Sequence, residues 1–280
     1  MTAPNSSAYL VGLIGSGIAT SLTPRLHEQE ADALGIRYLY RVLDLDSTAA
    51  TAADLITATR LTGYDGLNVT HPAKQLVLTH LDQLSPEATV IGAVNTITFT
   101  DGRTTGHNTD STGFTRALTT GLPTAALNTV VLLGAGGAGA AIAHALLSLG
   151  VTDLRVIDRE PTRATALADR LGTRATAREP ADPTVLADAD GLVHATPTGM
   201  VGHPGLPLPP DRLHPDLWVA DIVYRPLTTE LLAAARARGC RVLDGGRMAV
   251  FQAADTFRLI TGREPDADRM LHHFDSLARR

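Results

Sequence analysis

The sequence predicts an α/β protein built as two domains, the second of them a Rossmann-type dinucleotide-binding domain. Three observations carry that expectation. Short apolar runs alternate with helical stretches along the chain. One apolar run, VVLLG, passes directly into GAGGAG and then an alanine-rich helical stretch. At 280 residues and 44% hydrophobic content, the chain has enough material for two ordinary domains.

Taken in order, YLVGLIG reads as a buried strand ending in a glycine turn. Pro24 sits near the start of the helical stretch RLHEQEADALG, and Gly35 ends it. YLYRVLDL is the next strand, residues 49–60 a helix, and DGLNVT a third strand. AVNTITFTDGR alternates and contains Asp-Gly, which predicts a hairpin. A helix over 111–120 leads out of this first part.

The second part begins with NTVVLLGAGGAGAAIAHALLSLG. LRVID follows as a strand, then a helix over 161–171. GLVHAT and LWVADIVY are further strands. Pro226 precedes the helical TTELLAAARARG, and CRVLDG closes the set. The last stretch, RMAVFQAADTFRLITG, is helical, with Met248, Phe251, Ala254, Phe257 and Leu259 expected near one side. Its periodicity does not say which domain receives it.

Charge and composition narrow the function classes. The net charge of −5 gives no reason to expect a nucleic-acid or membrane partner. Aromatic content of 4% weighs against base-stacking platforms. No apolar run approaches membrane-spanning length. MTAPNSSAYLVGLIG lacks a basic segment before its apolar residues, so it is a poor signal peptide. Cys240 is the only cysteine, which excludes an intrachain disulfide and makes a cytoplasmic setting the simplest expectation. Its blander role is a small residue at the start of a strand.

Gly134, Gly136 and Gly139 form GxGxxG. The pattern alone is weak; between an apolar strand and a helix it is specific. Gly134 permits a tight turn, Gly136 removes the side chain that would block a pyrophosphate, and Gly139 lets helix and strand approach. The backbone amides of 134–139, including Ala135, Gly137 and Ala138, then face phosphate charge. Asp158 ends the next strand, where a carboxylate accepts from both ribose hydroxyls of NAD and repels a 2′-phosphate. Glu160 adds negative charge. Arg159 complicates the choice, because a guanidinium stacks on adenine or binds that phosphate. The expected cofactor is NAD.

A nicotinamide enzyme needs an acid/base group beside the reacting alcohol or carbonyl. Serine–tyrosine–lysine spacing is absent, and no cysteine–histidine cluster points to zinc. Two polar runs after predicted strands are the candidates: GLNVTHPAK, with Lys74, and GHNTDSTG, with Asp110. A surface lysine and a helix-capping aspartate are the blander reading, and the residues alone leave both open.

Several separated motifs occur in one order: SLTP at 21–24, GLNVTHPAK, GAVNT at 92–96, NTD at 108–110, GAGGAG, ATPTGM at 195–200, DIVYRPLTTELL, and GGRMAVFQAA. Over nearly its whole length the chain resembles the shikimate dehydrogenase family, including its quinate/shikimate dehydrogenase branch. The resemblance implies an N-terminal α/β substrate domain over 1–116, a dinucleotide domain over 117–246, and a C-terminal helical segment, 247–280, packing on the first domain. It implies Lys74 and Asp110 as the catalytic pair, with Lys74 the preferred acid/base. Ser21 and Thr23 would bind the substrate carboxylate, with Tyr224 near it. Asn68, Thr70, Asn95 and Gln252 would contact ring hydroxyls or support the pair. Met248 and Gly246 would approach the nicotinamide end, and Arg159, Arg163, Thr196 and Val223 complete the expected cofactor set.

The substrate so implied is a small cyclic polyhydroxy carboxylic acid, with no metal, for a monomer or homodimer. Four positions depart from the family pattern. Thr23 stands where biosynthetic members commonly have serine, which looks like the quinate-accepting branch. Asp158 departs from the Asn-Arg-Thr pattern associated with NADP. His194 stands where asparagine is common, and Arg247 replaces a small residue. Thr23 and Asp158 together suggest NAD-linked oxidation in quinate metabolism rather than NADPH-linked aromatic amino acid biosynthesis.

Overall fold

A computed structural model describes residues 8–278. Residues 1–7, part of the stretch read against a signal peptide, lie outside the described residues. The chain divides into two compact units, Met1–Thr109 with Gln252–Arg280, and Asp110–Phe251.

The first unit contains β1 (Ala8–Gly15), α1 (Thr23–Ala33), β2 (Arg37–Asp44), α2 (Ala52–Leu61), β3 (Gly66–Val69), β4 (Gln83–Leu84), α3 (Pro86–Ile91), β5 (Thr96–Thr100) and β6 (Arg103–His107). Its sheet runs β2-β1-β3-β5-β6-β4. β1 is parallel to β2 and β3, whereas β5 is antiparallel to β3 and β6. The antiparallel part follows from the expected hairpin: Asp101 and Gly102 turn it with φ of 49° and 72°. α2 starts at Ala52 rather than residue 49 because Thr51 and Asp54 form a reciprocal capping box. Ile14, Ile56, Leu67, Val69, Val77 and Ile97 bury one core against this sheet.

The second unit contains α4 (Asp110–Gly121), β7 (Thr129–Leu133), α5 (Gly137–Ser148), β8 (Asp153–Ile157), α6 (Pro161–Leu171), β9 (Ala175–Ala177), β10 (Gly191–His194), β11 (Trp218–Asp221), α7 (Glu230–Ala237) and β12 (Arg241–Leu243). Its sheet, ordered β12-β11-β10-β7-β8-β9, is parallel throughout. The strand order reverses between β7 and β10, the position where doubly wound sheets bind ligands.

α8 (Gly246–Thr261) and α9 (Ala267–Ala278) end the chain. The domain limits expected from sequence fall within α4 and at the first turn of α8, because both helices continue across them. Met248, Phe251, Ala254 and Phe257 are buried, although steps of three drift by about 60° each around a turn of about 3.6 residues, so they do not share one narrow face. Leu259 is 41% exposed and lies about 200° round the helix from Phe257. α9 packs on α1, where buried Glu30 accepts from Arg269 Nη2 at 2.6 Å and Nε at 2.9 Å. The sequence reading passed over α3, β4 and β9, and did not divide the C-terminal helical segment into α8 and α9. No helix among the described residues is long and apolar enough to cross a membrane, and no group of potential metal ligands occurs among them.

Candidate active site

Parallel strands present their following loops at one edge, and an antiparallel neighbour enters at that same edge. In the first sheet, β1 and β3 exit where β5 enters and β6 exits. The register therefore gathers the separated polar motifs: SLTP after β1, GLNVTHPAK through β3, GAVNT before β5 and NTD after β6.

The exits are tied to one another through backbone. Thr70 N–H donates to the Ile14 carbonyl at 2.9 Å, and Ser16 N–H to that of His71 at 2.9 Å. The Lys74 carbonyl accepts from Val94 N–H at 2.8 Å. Asp44, at the end of β2, accepts from Gly17 and Ile18 N–H at 3.2 and 3.0 Å, which holds the loop leading to Ser21. Ser21 and Thr23 face each other at 3.2 Å between hydroxyl oxygens, at the start of α1. Ser21 Oγ also accepts from Thr23 N–H, while the N-cap position itself is Leu22 with no side-chain cap.

A buried polar cluster lies behind these loops. Asn68 Oδ1 accepts from the Tyr40 hydroxyl at 2.7 Å, and its amide donates to the Asn95 carbonyl and Thr256 Oγ1, each at 3.3 Å. Asn95 donates to Thr109 Oγ1 at 2.8 Å and to Gln252 Oε1 at 3.3 Å, and accepts from Thr109 N–H at 2.8 Å. Thr109 Oγ1 donates to the Gln252 carbonyl at 3.0 Å. The structure thus brings together Asn68, Asn95 and Gln252. The members that sequence reasoning missed are Tyr40, Thr96, Thr109 and Thr256. Thr256 had a signal: it lies one helical turn after Gln252 on the same face. Lys74 is partly buried in the turn after β3 and Thr70 is likewise partly buried. Asp110 is buried as the first residue of α4 in the second unit, and partly buried Tyr224 also belongs to that unit.

The second unit shapes the glycine turn by close approach. Gly134 has φ of +110°, and a Cβ there would meet the Ala195 carbonyl oxygen at 2.8 Å. A Cβ on Gly139 would collide with the Gly134 carbonyl oxygen, so helix α5 can approach β7 only with glycine there. At Gly136 an added Cβ meets nothing within 4 Å. Gly136 is thus open, and it is the N-cap of α5, whose first amides have no partner within the helix. These features fit a dinucleotide pyrophosphate.

Asp158 holds the same turn. Its Oδ2 accepts from Ala135 N–H at 2.7 Å and its Oδ1 from Glu160 N–H at 2.9 Å. Arg159 is exposed; Arg163 pairs with Glu160 at 3.1 Å. Thr196 follows β10 and is partly buried; Val223, Gly246 and Met248 are buried at the exit of β11 and the start of α8. His194 and Asp221, which end β10 and β11, are buried against each other at 3.0 Å.

Comparison with known proteins supports the fold. Residues 13–97 match the family model of the shikimate dehydrogenase substrate-binding domain, and residues 118–200 that of shikimate/quinate 5-dehydrogenase. The chain is 59% identical to a shikimate dehydrogenase (NADP(+)) of Streptomyces avermitilis, over 97% of this chain and 96% of that one. It is 49% identical to a quinate/shikimate dehydrogenase (NAD(+)) of Corynebacterium efficiens, over 98% of this chain and all of that one. The structure of quinate dehydrogenase from Corynebacterium glutamicum in complex with NAD superimposes with a TM-score of 0.90 at 47% identity, covering 96% of this chain and 99% of that one. Motif order, sheet topology and these similarities lead to one conclusion: the chain belongs to the shikimate dehydrogenase family.

Proposed function

We propose that the protein catalyses reversible, NAD-linked oxidation of quinate and shikimate at the C3 hydroxyl, giving 3-dehydroquinate and 3-dehydroshikimate. The observation that carries this reading is the cluster at the edge of the first sheet, where the Tyr40 and Thr109 hydroxyls hold the Asn68 and Asn95 amides and Asn95 in turn donates to Gln252 Oε1. Amides fixed in this way suit a small ring bearing several hydroxyls.

In this reading Ser21 and Thr23 bind the substrate carboxylate with Tyr224 near it, and Thr70 joins the amides at the ring hydroxyls. Lys74 removes the proton from the reacting hydroxyl, with Asp110 as its catalytic partner. The nicotinamide supplies the hydride acceptor when bound. Gly134–Gly139 cradle the pyrophosphate, and Thr196, Val223, Gly246 and Met248 line the nicotinamide end.

For NAD over NADP, the support is the pair of carboxylates after β8. Asp158 stands at the strand end, and Glu160 already occupies the Arg163 guanidinium. An added 2′-phosphate would meet both negative charges. A second reading, NADP-linked shikimate oxidation in aromatic biosynthesis, is favoured by exposed Arg159 and by the NADP-named Streptomyces relative.

Replacing Lys74 with Ala tests the chemistry. Turnover is expected to fall by about 10²–10⁴-fold while cofactor affinity is preserved. Unchanged turnover would remove Lys74 from the mechanism. Wild-type protein that binds cofactor but oxidises neither acid would point instead to a cofactor-binding sensor.

A further inference from the structure

His194 and Asp221 are direct neighbours in register on parallel strands, each the last residue of its strand. Both side chains are fully buried. A carboxylate only accepts, so the His194 Nδ1–H donates to Asp221 Oδ1 at 3.0 Å. The other ring nitrogen, Nε2, lies 2.5 Å from Thr196 Oγ1. Thr196 Oγ1 also accepts from Thr198 N–H at 3.3 Å, which folds the turn after β10 around the same hydroxyl.

Asp221 is equally committed on its own side. Its Oδ1 accepts from Val223 N–H at 3.0 Å, and its Oδ2 accepts from the Thr229 hydroxyl at 2.7 Å. Thr229 is the N-cap of α7. A single chain of polar contacts therefore runs from Thr198 through Thr196, His194 and Asp221 to Val223 and the start of α7.

The neighbours of these turns leave little room for adjustment. The turn after β10 packs on Gly134, whose added Cβ would meet Thr196 Cγ2 at 3.0 Å as well as the Ala195 carbonyl. An added Cβ on Gly245 would collide with the Ile222 carbonyl, so the entry to α8 presses on the turn after β11. Between these packed flanks, His194 to Asp221 links one strand end to the other through side chains.

We propose that the His194–Asp221 pair is a positioning device that fixes the two turns carrying Thr196 and Val223, and so the nicotinamide end of the cofactor. This rests on the reading of Thr196 and Val223 as cofactor contacts. The adenosine and pyrophosphate half is held elsewhere, on the glycine turn and the end of β8. Loss of the pair should therefore weaken most what depends on the nicotinamide.

The test compares NADH, NADPH and ADP-ribose binding to the full chain, together with the fluorescence of the bound reduced nicotinamide. His194→Leu removes both contacts. His194→Asn keeps an N–H for Asp221 but has no second nitrogen for Thr196. Thr196→Val tests the underlying contact separately. For His194→Leu we expect at least a tenfold loss of affinity for the preferred reduced cofactor and loss of its fluorescence enhancement. ADP-ribose affinity should stay within twofold, and His194→Asn should fall between wild type and Leu. Equal losses for all three ligands, or none, in both His194 variants would overturn the proposal. An altered Thr196→Val beside unaltered His194 variants would overturn the proposal alone; unaltered Thr196→Val would count against the contact reading itself.

Discussion

The hydroxyls of Thr96 and Thr256 meet at 2.7 Å across 160 residues of chain. Thr256 also lies 3.2 Å from Thr109 Oγ1 and accepts from the Asn68 amide at 3.3 Å. One fully buried hydroxyl on α8 thereby joins β3, β5 and the loop after β6. Thr256→Val keeps the shape and removes these bonds. The expected cost is about 1–3 kcal/mol, since buried partners lose a hydrogen bond without gaining water. Urea unfolding measures it. Because the same hydroxyl supports Asn68, KM for the acid substrate should rise as well; unaltered stability and KM would show the cluster to be slack.

Gly136 and Gly139 should separate binding from folding. Gly139→Ala drives a methyl into the Gly134 carbonyl and is expected to cost about 3 kcal/mol or more in stability. Gly136→Ala meets no protein atom, so its thermal midpoint should match wild type. Its cofactor affinity should fall by about 1–3 kcal/mol, from crowding of the pyrophosphate alone. Calorimetric binding with parallel thermal melts distinguishes the two effects.

Glu160 should restrain the use of NADP. Its carboxylate lies 3.1 Å from Arg163 Nε, and both side chains are about half exposed. Glu160→Gln frees that guanidinium for a 2′-phosphate. The expected gain in kcat/KM with NADP is roughly two- to fivefold, in keeping with an exposed charge pair. Steady-state rates with both cofactors check it, and no shift in their ratio would contradict this role.

His27 should make the first unit acid-sensitive. It is buried among Tyr38, Tyr40 and Phe257, and its Nε2 has no partner. Burial pushes its pKa down from 6.5 to about 3. Between those values the unfolded chain holds a proton that the folded protein refuses. Stability is therefore full above about pH 6.5 and falls as pH drops, by about 1.4 kcal/mol per unit. His27→Phe lacks this contribution. Urea unfolding at pH 7 and pH 5 should show wild type losing about 2 kcal/mol more than the variant; equal losses would contradict it.

Much of this architecture was legible in the sequence where local rules act alone. VVLLGAGGAG, the Asp101-Gly102 hairpin and the proline-led helix at Pro161 each carry their own backbone instructions. The polar motifs around Lys74 and Asn95 were visible as sequence runs. Their gathering at one sheet edge was not, because strand order is set by long-range pairing rather than by periodicity. Tyr40, Thr96 and Thr109 escaped for the same reason, since a strand tyrosine or a lone threonine looks ordinary until its partner is known. Asp221 resembled any strand-end aspartate, and only the parallel register sets His194 beside it. Two-residue β4 and three-residue β9 are too short to show a pattern.

The most direct test of the central claim is initial-rate measurement with quinate and shikimate, each with NAD and with NADP, at equal enzyme concentration. The account predicts fast NAD-linked oxidation of both acids and weak rates with NADP. Oxidation of shikimate alone, with NADP preferred, would contradict it and show that Asp158, Glu160 and Thr23 do not set the specificity assigned to them.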